Sequence, residues 1–398
     1  MGTIHLWPEQ AAEDGDRTTV AVTIEAPERD RMRLWYRVPN AHRESLSENC
    51  DAFAAATVFF AMRNRHDVVV RGEVSPSLLR NLGEFQAAWS CWSPGRYTPI
   101  EIGADVERES LRPEPTQAAI AAFSGGVDSC FTALRHRRGT CGRWQRPIEA
   151  GLMAHGFDIS LEQHQDFERA AAGARLILSS LGLDLITVAT NFRELGDDWE
   201  EAHGAGLAAC LMLFQRGYAT GLIPSTEPYQ ALVPWGSNPV TDHLLSNDSF
   251  EIVHDGAAFT RNEKVRQISE WPEALQGLRV CWEGEQKDRN CGKCEKCIRT
   301  ILNFRVLGLL PRCFARDASD ADIANLTGLN SLQRSEMEQI RSAARAESIS
   351  APWVRYLGRC IRRNRRAAAL QQLRRSLAER LPDRLLLELR RRSAEREP

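Results

Sequence analysis

The chain has 398 residues, 43% of them hydrophobic and 26% charged, with a formal net charge of −2 at pH 7. That balance fits a soluble protein of two or three domains, and it excludes a membrane protein, a collagen-like chain or a polyanion binder working by overall charge. The average hides a segregation: from position 355 onward there are 14 arginines, no lysine and five acids, so that segment stands near +9 and the rest near −11. No apolar run reaches the ~18 residues of a membrane span. The N-terminus lacks the basic-then-apolar pattern of a signal peptide, so a cytoplasmic location without membrane association is expected. Eleven cysteines, four of them within 17 residues, argue for a reducing compartment and a bound metal, not a disulfide framework.

Residues 1–112 read as an N-terminal α+β accessory or recognition domain. Positions 18–24 and 32–38 alternate polar and apolar residues as half-buried strands do, 49–62 is an apolar helical stretch, and 68–70 a short buried strand. Ser75 and Pro76 have the chemistry of a helix N-cap and first turn. Trp35, Trp89 and Trp92 suit a core or interface better than a base-stacking platform. Arg112-Pro113-Glu114-Pro115 resists helix and reads as a linker.

From 116 to 310 strands and helices alternate, which implies crossover units and a buried parallel sheet. An apolar strand at 118–123 runs into Ser124-Gly125-Gly126-Val127-Asp128-Ser129, and a helix follows over 130–137. Two adjacent glycines let backbone N–H groups turn inward as an anion-binding nest, at the positive end of the following helix. Ser124 and Ser129 add hydroxyl donors, and Asp128 a carboxylate suited to magnesium, so the expected ligand is a polyphosphate. No Gly-Lys-Ser/Thr closes the loop, so it is not a Walker A sequence. Further strands are expected at 150–157, 185–189 and 219–224, with helices over 161–183 and 201–215. Ligands of open sheets sit beyond the carboxyl ends of the strands, which gathers Ser124–Ser129, His155–Asp158, Asn191–Arg193 and Ser225–Glu227 around one mouth.

Residues 234–243 (Pro-Trp-Gly-Ser-Asn-Pro-Val-Thr-Asp-His) suit either a substrate-binding loop or a surface loop with a packed Trp235. A strand or turn is expected at 252–256. Over 261–270 a polar helix carries Lys264, which could reach a phosphate, although a lone helix lysine is ordinarily solvated. His155 and His203 are candidates by position only. Cys281, Cys291, Cys294 and Cys297 offer four thiolates with no open position, which describes structural zinc; an iron–sulfur cluster is the alternative. The cluster leads into a helix at 298–306. The region 311–398 is helical, with an amphipathic segment at 331–346 and an arginine-rich one at 353–389 broken by Pro382. Such a helix binds nucleic acid or an acidic partner, or docks on the acidic body.

The Ser-Gly-Gly-x-Asp-Ser run resembles the PP-loop of the N-type ATP pyrophosphatases. Joined to Cys-x(9)-Cys-Gly-x-Cys-x-x-Cys about 150 residues later, it is similar to the 7-cyano-7-deazaguanine synthase (QueC) family over 117–307, about half the chain. The resemblance implies a parallel-sheet, adenine-nucleotide α-hydrolase-like (HUP-type) domain with a zinc-binding loop. It also implies an ATP-dependent ligase that forms AMP and pyrophosphate by adenylating the carboxylate of a 7-deazaguanine-type acid for attack by ammonia or an amine. ATP, Mg²⁺ and Zn²⁺ are then the cofactors. By position, Ser124, Gly125, Gly126, Val127, Asp128 and Ser129 hold the phosphates, with Asp128 and Ser129 catalytic; His155 and Gly156 meet the adenosine, and the four cysteines bind zinc. The family's Tyr-Pro-Asp-Cys-Arg type stretch is absent, and 234–243 and 250–264 stand in its place. Relatives in bacterial defence operons make a protein substrate, recognised by the N-terminal domain, the first alternative; a tRNA-modifying enzyme is another. A homodimer is compatible with either.

Overall fold

The computed structural model describes residues 2–110 and 116–380, the last seven of them as backbone alone. The expected linker at Arg112–Pro115 and the break at Pro382 lie outside the described residues. The N-terminal part supplies β1 (Thr3–Pro8), β2 (Ala12–Asp14), β3 (Arg17–Glu25), β4 (Met32–Pro39), α1 (Asp51–Asn64), β5 (Asp67–Val74), α2 (Pro76–Trp92) and β6 (Ile102–Glu107). Then come β7 (Ala119–Ala122), α3 (Val127–Arg137), β8 (Ile148–His155), α4 (His164–Ser179), β9 (Asp184–Thr190), α5 (Trp199–Met212), β10 (Thr220–Pro224) and β11 (Glu251–Asp255). The remainder is helical: α6 (Arg261–Ile268), α7 (Pro272–Gly277), α8 (Glu295–Val306), α9 (Asp320–Asn325), α10 (Ser331–Ala346) and α11 (Pro352–Arg380).

All eleven strands join one sheet in the order β11-β10-β7-β8-β9-β4-β3-β1-β5-β6, with β2 on β3. The parallel sheet expected over 116–310 is present, but as part of one mixed, mostly parallel sheet that also takes in the N-terminal strands. The five strands β11, β10, β7, β8 and β9 are parallel throughout, whereas β4 joins β9 antiparallel through Tyr36↔Thr190 and Arg37↔Ala189. The side chain of Asn191 locks that junction, accepting from Trp35 N and donating to Arg33 O. β7 is buried along its whole length, as a strand covered on both faces must be. On one face α1, α2 and α5 pack together; α1 carries apolar residues all round because it lies between the sheet and its neighbours. The other face is covered by α3, α4, α6, α8, α10 and the start of α11. Trp89 belongs to the first core, edge-on to Phe59, Trp92 and Tyr97.

The Ser75 hydroxyl does not cap α2. It donates to Asp51 Oδ2 at 2.7 Å, in a buried network that Asn49 and Asn247 also join. Among the described residues no helix is long and apolar enough to cross a membrane.

Candidate functional site

From β7 the chain crosses through α3 to β8 and through α4 to β9, then returns through α5 to β10 on the opposite side of β7. The strand order therefore reverses between β7 and β10, and in open sheets ligands bind at such a crevice. The Ser-Gly-Gly-Val-Asp-Ser run lies there. Gly125 takes φ +74, a left-handed value that only glycine adopts without strain, and Gly126 is the N-cap of α3. The first-turn N–H groups of α3 consequently face the crevice without intrahelical partners. The Ser124 hydroxyl accepts from Gly126 N at 3.3 Å, while Ser129 donates to Gly126 O at 3.1 Å.

Cations surround the nest. Asp128 accepts from Arg261 Nη1 at 2.9 Å and from Lys264 Nζ at 3.2 Å. Lys264 also donates to Ser225 O and Oγ, at 2.5 and 2.9 Å, so one ammonium ties the nest after β7 to the loop after β10. Burial pushes the Asp128 carboxyl up, but Lys264 and Arg261 outweigh it and hold its pKa below the ordinary value. Arg279 binds the nest from the other side, its N–H donating to Gly125 O at 2.8 Å and its guanidinium to Ser124 O at 3.3 Å. Lys296 and Asp158 complete the lining together with Cys281 and Trp282. Burial and neighbouring cations lower the Lys296 pKa, whereas burial raises that of Glu227 after β10. The cavity measures about 50 Å³, enough to hold water.

The four cysteine sulfurs lie within 4.8 Å of one another. Cys281–Cys294 is 3.7 Å and Cys291–Cys297 3.9 Å, against the ~3.8 Å that tetrahedral zinc with Zn–S bonds of about 2.3 Å requires. Backbone N–H groups of Gly284, Lys293, Cys294 and Cys297 point at the sulfurs at 3.4 Å, as they do around thiolates. The cluster is thus a four-cysteine site compatible with Zn²⁺. It also shapes the crevice, because Cys281 follows Arg279 by two residues and Lys296 lies between Cys294 and Cys297. Buried Asn290 templates this loop, accepting from Val280 and Cys281 N while donating to Leu278 and Cys313 O.

Other sequence-predicted residues take structural places. His155 stacks on Phe167 at 4.3 Å and its Nε2–H donates to Ser160 O; burial lowers its pKa, and Asp158, not His155, lines the cavity. Gly156 is at φ +101, where a Cβ would stand 2.0 Å from Thr190 O. His203 donates to Trp199 O. The 234–243 loop is pinned to β11: Asp242 accepts from Ser237 Oγ at 2.6 Å, Asn238 N at 2.9 Å and His254 Nδ1 at 2.8 Å. Lys264 is 1% exposed beside the nest, not solvated as a lone helix lysine ordinarily is. Its signal was the pairing with Arg261 on one helix after the last parallel strand, which a lone-lysine reading passes over.

No family model matches the chain, and no curated protein or solved structure is significantly similar to it.

Proposed function

We propose that the chain is an ATP-dependent, AMP-forming enzyme that adenylates a carboxylate of the 7-deazaguanine type and passes the acyl group to ammonia or an amine. The observation that carries this reading is the Ser-Gly-Gly-Val-Asp-Ser nest at the β7/β10 switch point, ringed by Arg261, Lys264, Arg279 and Lys296. Backbone donors, a helix start and four cations suit the β- and γ-phosphates. A substrate carboxylate oxygen attacks the α-phosphorus, the bond to the bridging oxygen breaks, and pyrophosphate leaves into the nest. The lone pair of ammonia then attacks the acyl carbon; the bond to AMP breaks, and the nitrogen releases a proton to solvent. Lys264 and Arg261 neutralise the charge growing on the departing pyrophosphate. Asp128 and Asp158 are the carboxylates that fit Mg²⁺, which supplies further charge neutralisation on the phosphates when bound. Zinc in the four-cysteine site is structural in this reading, holding Arg279 and Lys296 in place.

The test incubates the zinc-loaded protein with ATP, Mg²⁺, 7-carboxy-7-deazaguanine and ammonium, and follows the products by mass spectrometry. AMP together with the amide or nitrile of the deazaguanine is expected. AMP without a new deazaguanine product rejects this acid as the substrate.

A further inference from the structure

α11 is anchored by Trp353, Leu357, Cys360, Ile361 and Asn364, all buried against α9 and α10. At 100° per residue, Arg355, Arg359, Arg362 and Arg366 fall within about 60° of arc directly opposite that anchored side, along about 16 Å of axis. All four are exposed, and among the described residues none forms a salt bridge. Arg359 lies over the Tyr356 ring at 5.5 Å. On the flank Arg341 of α10 packs against Gly358, whose missing side chain makes the room: a Cβ there would meet the Arg341 guanidinium at 3.1 Å. Burial, and then crowding by Arg345, Arg362 and Arg365, lower the Arg341 pKa. Of these arginines Arg365 is neutralised, by Glu338 at 2.7 Å. From Arg365 to Leu373 the helix is exposed almost all round.

We infer that this arginine face of α11 binds the sugar–phosphate backbone of double-stranded DNA. The stripe is all arginine, whose planar fork matches phosphate oxygens better than lysine does. Successive arginines of the stripe rise about 4.5–6 Å along the helix axis, which sets them against several phosphates of a duplex that carries one charge per about 1.7 Å of its own axis. A helix about 10–12 Å across that turns this stripe outward fits the B-form major groove of about 12 Å, which an A-form duplex does not offer. The stripe carries no free aromatic ring for stacking unpaired bases, since Arg359 covers Tyr356. Binding of this kind is independent of sequence and of the ATP chemistry proposed above.

The test is fluorescence anisotropy of the full chain with a labelled DNA duplex between 50 and 200 mM salt. Four phosphate contacts predict a slope of log affinity on log salt of about −3.6, a loss of roughly 150-fold across that range. A variant combining Arg355→Gln, Arg359→Gln, Arg362→Gln and Arg366→Gln should keep its circular dichroism and lose at least about 100-fold in affinity at 50 mM salt. Arginine-to-lysine changes at the same positions should recover part of the loss. The inference is overturned if the full chain does not bind the duplex at 50 mM salt, or if the glutamine variant binds like the parent. Tighter binding to an RNA duplex, to anionic vesicles or to polyglutamate-coated surfaces than to DNA overturns it as well.

Discussion

Asp128 and Lys264 face each other across the crevice, one from the helix after β7 and the other from α6, and Arg261 shares the same carboxylate. Lys264→Met should reduce ATP cleavage by about 10²–10³-fold, the effect of removing one preorganised donor. Asp128→Asn should abolish ATP–pyrophosphate exchange; near-normal exchange in that variant removes Asp128 from the chemistry. The asymmetry in legibility at this scale has a physical cause. A glycine nest is a local backbone property, so its six residues are written contiguously. Lys264 acquires its role from a contact 136 positions away, and its pairing with Arg261 on one helix is the one local hint of it. Asp197 is a second such case. Its side chain is 2% exposed and lies 3.2 Å from Arg63 Nη2, yet burial outweighs Arg63 and Arg96 and raises its pKa to about 6. An acid whose folded pKa is raised binds its proton more tightly when folded, so stability falls as pH rises from about 4 to about 6. Asp197→Asn should flatten that part of the stability profile by roughly 2–3 kcal/mol. An unchanged slope in urea titrations across these pH values contradicts this.

From Arg279 into the first turn of α8, the segment that carries the four cysteines and Lys296 acts as one element. Spacing in the sequence was enough to bring the thiolates together, because a metal tetrahedron admits few arrangements. The sequence did not reveal that the same loop builds one wall of the crevice, nor that Asn290 holds it with four hydrogen bonds. Structural metal sites contribute folding energy outright. The purified protein should therefore carry about one zinc per chain. Removing it with a chelator should lower both the melting temperature and the affinity for pyrophosphate, through loss of Arg279 and Lys296. Visible absorption typical of iron–sulfur centres would contradict the zinc assignment. The Ser75 hydroxyl shows the opposite limit: its cap chemistry was written in the sequence, but a buried carboxylate at Asp51 competed for it and won.

Over the whole molecule, the parallel strands were legible as buried apolar runs alternating with helices, whereas the single sheet that joins them to the N-terminal strands was not. That junction rests on two residue pairs between β4 and β9 and on the Asn191 side chain, long-range contacts that leave no period in the sequence. It places α1 directly on α5, with Ala202, Ala205, Ala208 and Ala209 fully buried there. Deleting residues 1–112 should consequently expose the β9 edge and this alanine-rich face, leaving an insoluble or partly unfolded chain. A soluble, cooperatively melting truncation contradicts that expectation. Everything proposed for the crevice depends on where ATP is broken. Phosphorus NMR of the zinc-loaded full chain with MgATP, a carboxylate substrate and ammonium reads this directly. AMP and pyrophosphate in equal amounts, absent in Lys264→Met, are predicted; ADP and phosphate would contradict the assignment of the nest as a pyrophosphate site.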